Sequence, residues 1–363
     1  MNLQKVVIFN KNYCLKKLLF FTLINIAFIY LFCFKNIFAI KVGVVCVRHE
    51  VNIGNNLLKY AISVKLSELG YIPYLIGTVW HKFNNIDFIN KTTNIIVIKN
   101  NFSEIKSDNY DFLMVNSDQT WYKFDKHFYD YGFLKFAENW TVPRFIYGTS
   151  FLWDYWPFSL EDEKIAKRLL KKFSGISVRE KDSVELIKNH LGFNSEFVLD
   201  PTLLIDKKYY LNLIKNFKPN ITKKKDYIFV YHIGINKYVV KLMKTASKKY
   251  NLDVYYFHLN NRSSVQNFLY YLINSKAVIS NSFHGTIFSI LFNKPFLSVY
   301  RKGTRKRFNT LAYLFNISDR LLMLWQKPNY DLLIQPLNIK YELLNEMRQK
   351  SINFLKRNLK KYN

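Results

Sequence analysis

From Ile40 onwards the chain alternates short apolar runs with segments whose apolar residues recur at helical spacing, and few folds accept that pattern. Ile40 to Val47 (IKVGVVCV) reads as a buried first strand, followed by a loop from Arg48 to Gly54. Within Asn55 to Leu69, the residues Leu58, Ala61, Ile62, Leu66 and Leu69 share one helix face, and Gly70 closes the element. Tyr71 to Ile76 is a second strand. A strand, a helix and a strand in that order open a parallel sheet.

The pattern continues. Strands are expected at 95–98, 111–115, 144–148, 175–178 and 196–199, with helices at 160–173 and 180–191. Pro201 stops the last of these elements. A Lys- and Asn-rich stretch from Leu204 to Asp226 marks a boundary. The alternation then restarts, with strands at 227–232, 252–257, 277–280 and 295–299 and helices at 237–249, 265–273 and 285–292. Tyr341 to Lys360 reads as a basic amphipathic helix. The expected division is therefore 1–39, 40–210, 211–340 and 341–363. Two successive α/β units place a cleft between them, with sites at the carboxyl ends of the strands.

Residues 1–39 differ in kind. Lys5, Lys11, Lys16 and Lys17 precede an apolar run from Leu18 to Phe34, the short end for a membrane-spanning helix. The positive flank favours a cytoplasmic N-terminus. A signal anchor, a cleaved signal and an upstream extension with no membrane role all remain open, although Ile37-Phe38-Ala39 is a poor cleavage site. The three cysteines, Cys14, Cys33 and Cys46, offer neither a disulfide framework nor a CxxC metal site. Net charge is +28, which attracts anionic partners, or else reflects lysine filling ordinary surface positions. No nucleic-acid motif accompanies the charge, so nucleic-acid binding is not expected.

Five segments carry chemistry. Asn52, Gly54 and Asn55 join a strand to a helix, where free N–H groups can hold an anion or simply make a βα turn. Ser117, Asp118 and Gln119 leave a strand exit with Trp121 close by, suiting a hydroxyl-rich ligand or a helix cap. Arg179 follows the strand ending at Val178 and is placed to take a carboxylate or phosphate, or to pair with Glu180. Ser280 to Thr286 puts Ser282 and His284 at a strand-to-helix turn, where an imidazole can act as acid or base. Arg301 and Arg305 belong to a basic cluster, Arg301 to Arg307, beyond the last strand, which can hold phosphate or stand in solvent. The other histidines form no ligand spacing, and no metal is expected. The chain has neither GxGxxG nor GxxxxGK.

The motifs occur in one order. Asn52-Ile53-Gly54-Asn55, Ser117-Asp118-Gln119, Tyr147-Gly148-Thr149-Ser150-Phe151, Val178-Arg179-Glu180, Asp200-Pro201-Thr202-Leu203-Leu204, Ser282-Phe283-His284-Gly285 and Lys294-Pro295-Phe296 together resemble the polysaccharide pyruvyl transferase family, from about Ile40 to Arg320. Asn116 stands where that family usually has Gly, and Gly148 where it often has Ala. The resemblance implies an α/β fold of two Rossmann-like domains, glycosyltransferase-B-like, with a central cleft, here preceded by an N-terminal hydrophobic helix. It implies transfer of a pyruvyl group from phosphoenolpyruvate to a sugar of a glycan or lipid-linked precursor, with no cofactor. His284 is then the acid or base, and Arg179 with the Arg301–Arg307 cluster the anion ligands. Residues 1–39 have no counterpart in that family; the contact with a membrane through residues 18–34 and a basic surface is read from their own apolarity and charge. A nucleotide-sugar glycosyltransferase and a non-catalytic glycan-binding module are the competing readings.

Overall fold

Two parallel sheets carry the chain from Lys41 onwards, and both belong to one compact unit, Lys41–Asn363. The first is built from β1 (Lys41–Val45), β2 (Ile72–Ile76), β3 (Ile96–Ile98), β4 (Phe112–Val115), β5 (Arg144–Thr149), β6 (Gly175–Val178) and β7 (Glu196–Phe197) in the order β3-β2-β1-β4-β5-β6-β7. The second contains β8 (Tyr227–Tyr231), β9 (Asp253–Phe257), β10 (Ala277–Ser280), β11 (Phe296–Tyr300) and β12 (Leu321–Met323) in the order β12-β11-β10-β8-β9. The computed structural model describes residues 40–46, 52–76, 96–98, 102–123, 127–219, 225–234, 236–259, 264–339 and 341–360. The apolar run Leu18 to Phe34 lies outside the described residues. Among the described residues, no helix is long and apolar enough to cross a membrane.

The helices are α1 (Ile53–Glu68), α2 (Phe128–Phe133), α3 (Leu160–Leu170), α4 (Ser183–Leu191), α5 (Lys207–Ile214), α6 (Lys237–Tyr250), α7 (Val265–Ile273), α8 (Phe283–Leu291), α9 (Arg305–Phe315) and α10 (Glu342–Asn358). Their starts follow local rules. Ser159 and Asp162 close a reciprocal capping box on α3, and Asn52, Asp206, Asn236, Ser264 and Ser282 each cap a helix through the side chain. Central strands are buried on both faces, as parallel sheets demand: every residue of β4, β8 and β10 is buried.

Two elements depart from the sequence reading, and a third, the expected C-terminal helix, takes a place that the reading did not give it. The stretch 204–226 contains α5, whose Tyr210 is fully buried between Tyr60 of α1 and Phe288 of α8, at ring distances of 6.0 and 4.9 Å. Burying a ring of that size is worth about 2–3 kcal/mol, so this passage between the sheets is packed. The basic cluster after β11 does not remain a loop: from Arg305 it winds into α9, which buries Phe308, Leu311, Leu314 and Phe315. Finally, α10 returns to the first sheet. Phe354 packs 6.2 Å from Phe145 and 6.1 Å from Tyr147, and the Ser351 hydroxyl accepts the Leu199 N–H at 2.9 Å.

Candidate active site

In a parallel sheet all carboxyl ends lie on one edge, and here those ends deliver the chemistry. β4 delivers Asn116 to Asp118, β5 delivers Thr149 and Ser150, β6 delivers Arg179 and Glu180, and the segment after β7 delivers Asp200. From the second sheet, β10 delivers Ser280 to His284.

Arg179 is the hub. Its side chain is 0% exposed and meets three carboxylates: Nη1 to Asp200 at 2.8 Å, Nη2 to Asp118 at 3.0 Å and Nε to Glu180 at 3.4 Å. Burial alone would lower the guanidinium pKa, but Asp118, Asp200 and Glu180 together hold it above its ordinary value. Burial pushes the Glu180 carboxyl up, only partly opposed by Arg179 and by the Ser150 hydroxyl, which donates at 2.8 Å. Burial also works against the Asp200 carboxylate, yet the neighbouring imidazole of His284, with Arg179 and the Thr202 hydroxyl, holds it below the usual carboxylate range. Asp118 further accepts the Asn55 amide at 2.6 Å, and its backbone has φ +104°, outside the favoured left-handed well. Such strain costs on the order of 1–3 kcal/mol and persists only where surroundings over-determine it.

His284 sits in the first turn of α8, behind the Ser282 cap, and is 5% exposed. Its Nε2 lies 3.5 Å from the Asp200 carboxylate. Its Nδ1 edge faces Gly54 in the first turn of α1, where a Cβ would come within 2.2 Å of Nδ1. Gly54 thus serves close approach of α1 to the imidazole. Gly285 plays the matching part on the other side, since a Cβ there would meet the Ser280 hydroxyl at 2.3 Å.

A second guanidinium lies beside the hub. Arg307, from α9, faces the Phe283 ring at 5.8 Å, and Arg179 faces the same ring at 4.9 Å. Burial and the charge of Arg179 bring the Arg307 pKa down to about 10, and its Nε has no hydrogen-bond partner. The charge of Arg179 is met by three carboxylates, so among the two cations Arg307 is the one that keeps an unpartnered donor.

At the β8 exit, His232 is 3% exposed. Asn236 spends its Oδ1 capping Val239 N at 2.8 Å, so its Nδ2 donates to His232 Nε2 at 3.3 Å and requires a lone pair there. Burial, aided by the charge of Arg301, holds this imidazole down at about 4.

Of the residues singled out in the sequence, Asn55, Asp118, Arg179 and His284 converge, with Gly54 and Ser282 shaping the turns around them. Asn52 caps α1, and Ser117 is occupied in donating to the Gly148 carbonyl at 2.7 Å. Gln119 is half-buried next to Asp118. Arg301 and Arg305 are exposed at the rim, and from their cluster Arg307 enters the buried group. Trp121 is fully buried and stacks on Phe133 at 5.0 Å, so it belongs to the core. Asp200 was visible only as part of a motif, and Glu180 only as a neighbour of Arg179. The two departures from the family pattern have local causes. Asn116 donates to Cys46 Sγ and accepts the Ser117 N–H, while Gly148 has φ +61°, where alanine is strained.

Two parallel sheets with a buried acid–histidine–arginine group at their carboxyl ends define an α/β protein with a candidate acid–base site. The polysaccharide pyruvyl transferase family matches residues 52–303, more than half of the 363, and the chain belongs to that family. A search of curated proteins returns no match. In fold, the chain is similar to UDP-GlcNAc 2-epimerase from Neisseria meningitidis bound to UDP-GlcNAc, at TM-score 0.54 and 14% identity over 87% of this chain and 99% of that one. It is also similar to UDP-GlcNAc 2-epimerase from Methanocaldococcus jannaschii (TM-score 0.54, 12% identity, 88% and 100% covered) and to S. aureus MnaA in a co-structure with UDP (0.52, 17%, 82% and 86%). At these identities the likeness is one of fold.

Proposed function

We propose that the chain transfers a pyruvyl group from phosphoenolpyruvate to a sugar of a cell-surface glycan or of its lipid-linked precursor. The observation that carries this reading is the His284–Asp200 pair set beside the unpaired Arg307, in a chain of this family. Phosphoenolpyruvate brings a carboxylate and a phosphate, which the buried Arg307 guanidinium, with its unpartnered Nε, matches in charge.

The reaction needs a proton delivered to the methylene carbon, which leaves C2 electrophilic. A sugar hydroxyl then adds at C2 and gives up its proton to a base. Phosphate leaves, and a second hydroxyl adds to close the ketal. Two hydroxyl protons are released in total, one balancing the new methyl C–H and one leaving with phosphate. His284 is the candidate acid and base, oriented by Asp200. Arg179 holds Asp118, Asp200 and Glu180 in register and so keeps Asp200 against His284. An apolar segment at 18–34 would keep the enzyme where lipid-linked acceptors reside.

The test incubates the protein with phosphoenolpyruvate and candidate glycans, and looks for phosphate release together with a pyruvyl mass increment on the glycan. The fold is shared with enzymes of UDP-sugars, so a panel of nucleotide sugars belongs in the same experiment. Turnover of a nucleotide sugar, with none of phosphoenolpyruvate, would replace this reading by glycosyl transfer. Glycan binding by the wild-type protein with turnover of neither donor class would leave a binding module.

A further inference from the structure

The segment Phe151 to Pro157 leaves β5 at the edge that carries the site and reads Phe-Leu-Trp-Asp-Tyr-Trp-Pro. Phe151 and Trp156 turn into the core, where Trp156 donates to Glu163 at 2.6 Å. Trp153 and Tyr155 turn the other way. Their rings are nearly parallel, 10° apart in plane at 6.1 Å, and Tyr155 is 58% exposed. Tyr122, from the loop after β4, meets Trp153 edge-on at 6.1 Å. The half-buried Trp153 and the exposed Tyr155 thus present an aromatic face at the edge that carries the site.

The segment is fixed at three points. Leu152, with φ +71°, donates its N–H to the Ser150 hydroxyl at 3.2 Å, the same hydroxyl that donates to Glu180. Asp154 N donates to the Gly303 carbonyl at 3.1 Å, and the Asp154 carboxylate accepts the Lys306 N–H at 2.9 Å in the first turn of α9. Gly303 passes under the indole so closely that a Cβ would lie 3.1 Å from the ring. The aromatic pair is thereby attached one residue from Arg307, and flanked by the exposed cations Arg301, Lys302 and Arg305.

We infer that Trp153 and Tyr155 form the acceptor seat: a hexose ring stacks its apolar face on them while a phosphate or carboxylate of the same saccharide is held by the Arg301–Arg305 rim. The acceptor is thus an anionic saccharide. This rests on the pyruvyl-transfer reading for the word acceptor, and on the aromatic and basic groups alone for the binding. A rigid aromatic face loses little freedom on binding, and the chain's net charge of +28 favours a negatively charged partner.

The experiment titrates the full chain calorimetrically with the 1-phosphates of glucose, galactose, mannose and N-acetylglucosamine, with glucuronate and galacturonate, with the methyl glycosides, and with inorganic phosphate. At least one anionic sugar should bind more tightly than both its methyl glycoside and inorganic phosphate. A preference for a 1-phosphate points to a phosphate-linked carrier, and one for a uronate to a charged polysaccharide. Trp153→Ala should weaken that sugar by about three- to tenfold, Trp153→Phe should retain most of the affinity, and inorganic phosphate should bind all variants alike. Tyr155→Ala, at a more exposed position, gives the same reading where Trp153→Ala fails to fold. Equal binding of every sugar and inorganic phosphate, or wild-type sugar affinity in both alanine variants, overturns the inference. Phosphoenolpyruvate is titrated separately: no donor binding with the sugar result intact removes the pyruvyl reading and leaves the seat standing.

Discussion

Gly54 and His284 touch across the two sheets: a methyl group at position 54 would sit 2.2 Å from the imidazole Nδ1, closer than any real carbon contact. The first turn of α1 and the first turn of α8 are therefore fitted to each other at the one residue expected to move protons. Gly54→Ala should displace the ring or part the helices. Overpacking of this kind costs about 1–3 kcal/mol, and the effect on turnover should exceed the effect on stability. Thermal unfolding and phosphate release, measured on the same preparation, separate the two. Wild-type turnover in Gly54→Ala would show that the contact does not position His284.

His284→Ala should lower kcat for phosphate release by about 10²–10⁴-fold, the usual span for general acid–base catalysis. Phosphoenolpyruvate affinity should change much less. Circular dichroism checks the fold, and wild-type turnover in the folded variant would take the histidine out of the mechanism.

The two arginines facing Phe283 should behave oppositely. Arg179→Ala strands Asp118, Glu180 and Asp200 without their cation, and breaking a buried pair this way costs about 3–5 kcal/mol. Arg307→Ala removes a cation that burial and Arg179 both disfavour, so stability should hold or rise. Donor affinity should fall instead, by about ten- to a hundredfold, the worth of a charge-assisted hydrogen bond. Denaturant melts and donor titrations on both variants check the contrast, and unchanged donor affinity in Arg307→Ala would return that residue to packing.

His232 should make stability depend on pH. Its folded value of about 4 lies below the 6.5 of an unfolded histidine. Below pH 6.5 the unfolded chain takes up a proton that the native imidazole refuses, so the stabilisation is complete above that value and is lost as pH falls towards 4. At pH 5 the loss is about 2 kcal/mol. His232→Gln lacks the group, so its urea midpoint should fall less than wild type's between pH 7.5 and 5. Parallel curves for the two proteins would refute the assignment.

The order of strands and helices was readable because buried parallel strands are apolar throughout, as in the run from Val42 to Val45, and because residues such as Leu58, Ala61 and Ile62 repeat at helical spacing. What escaped is also physical. α5 buries little beyond Tyr210 and Leu213 in a lysine-rich stretch, too few for a pattern. α9 had the spacing, in Phe308, Leu311, Leu314 and Phe315, but its first turn reads as charge. His284, Arg179 and Asp118 could be named from strand exits, whereas Asp200, which joins two of them, looks in sequence like the end of an element before a proline. Pairing between residues 84 positions apart leaves no trace in local spacing.

The return of α10 to the first sheet bears on how the polypeptide is made. Phe354 covers Phe145 and Tyr147, and Ser351 completes the hydrogen bonding of Leu199. During synthesis the first sheet leaves the ribosome well before those partners exist, and a stretch of aromatic surface stays uncovered meanwhile. Closing such a long loop is slow, and exposed apolar surface invites association in the interval. The second sheet has to be translated before the first can be finished, so a ribosome stalled ahead of residue 342 would release a chain whose opening half is already assembled and still adhesive.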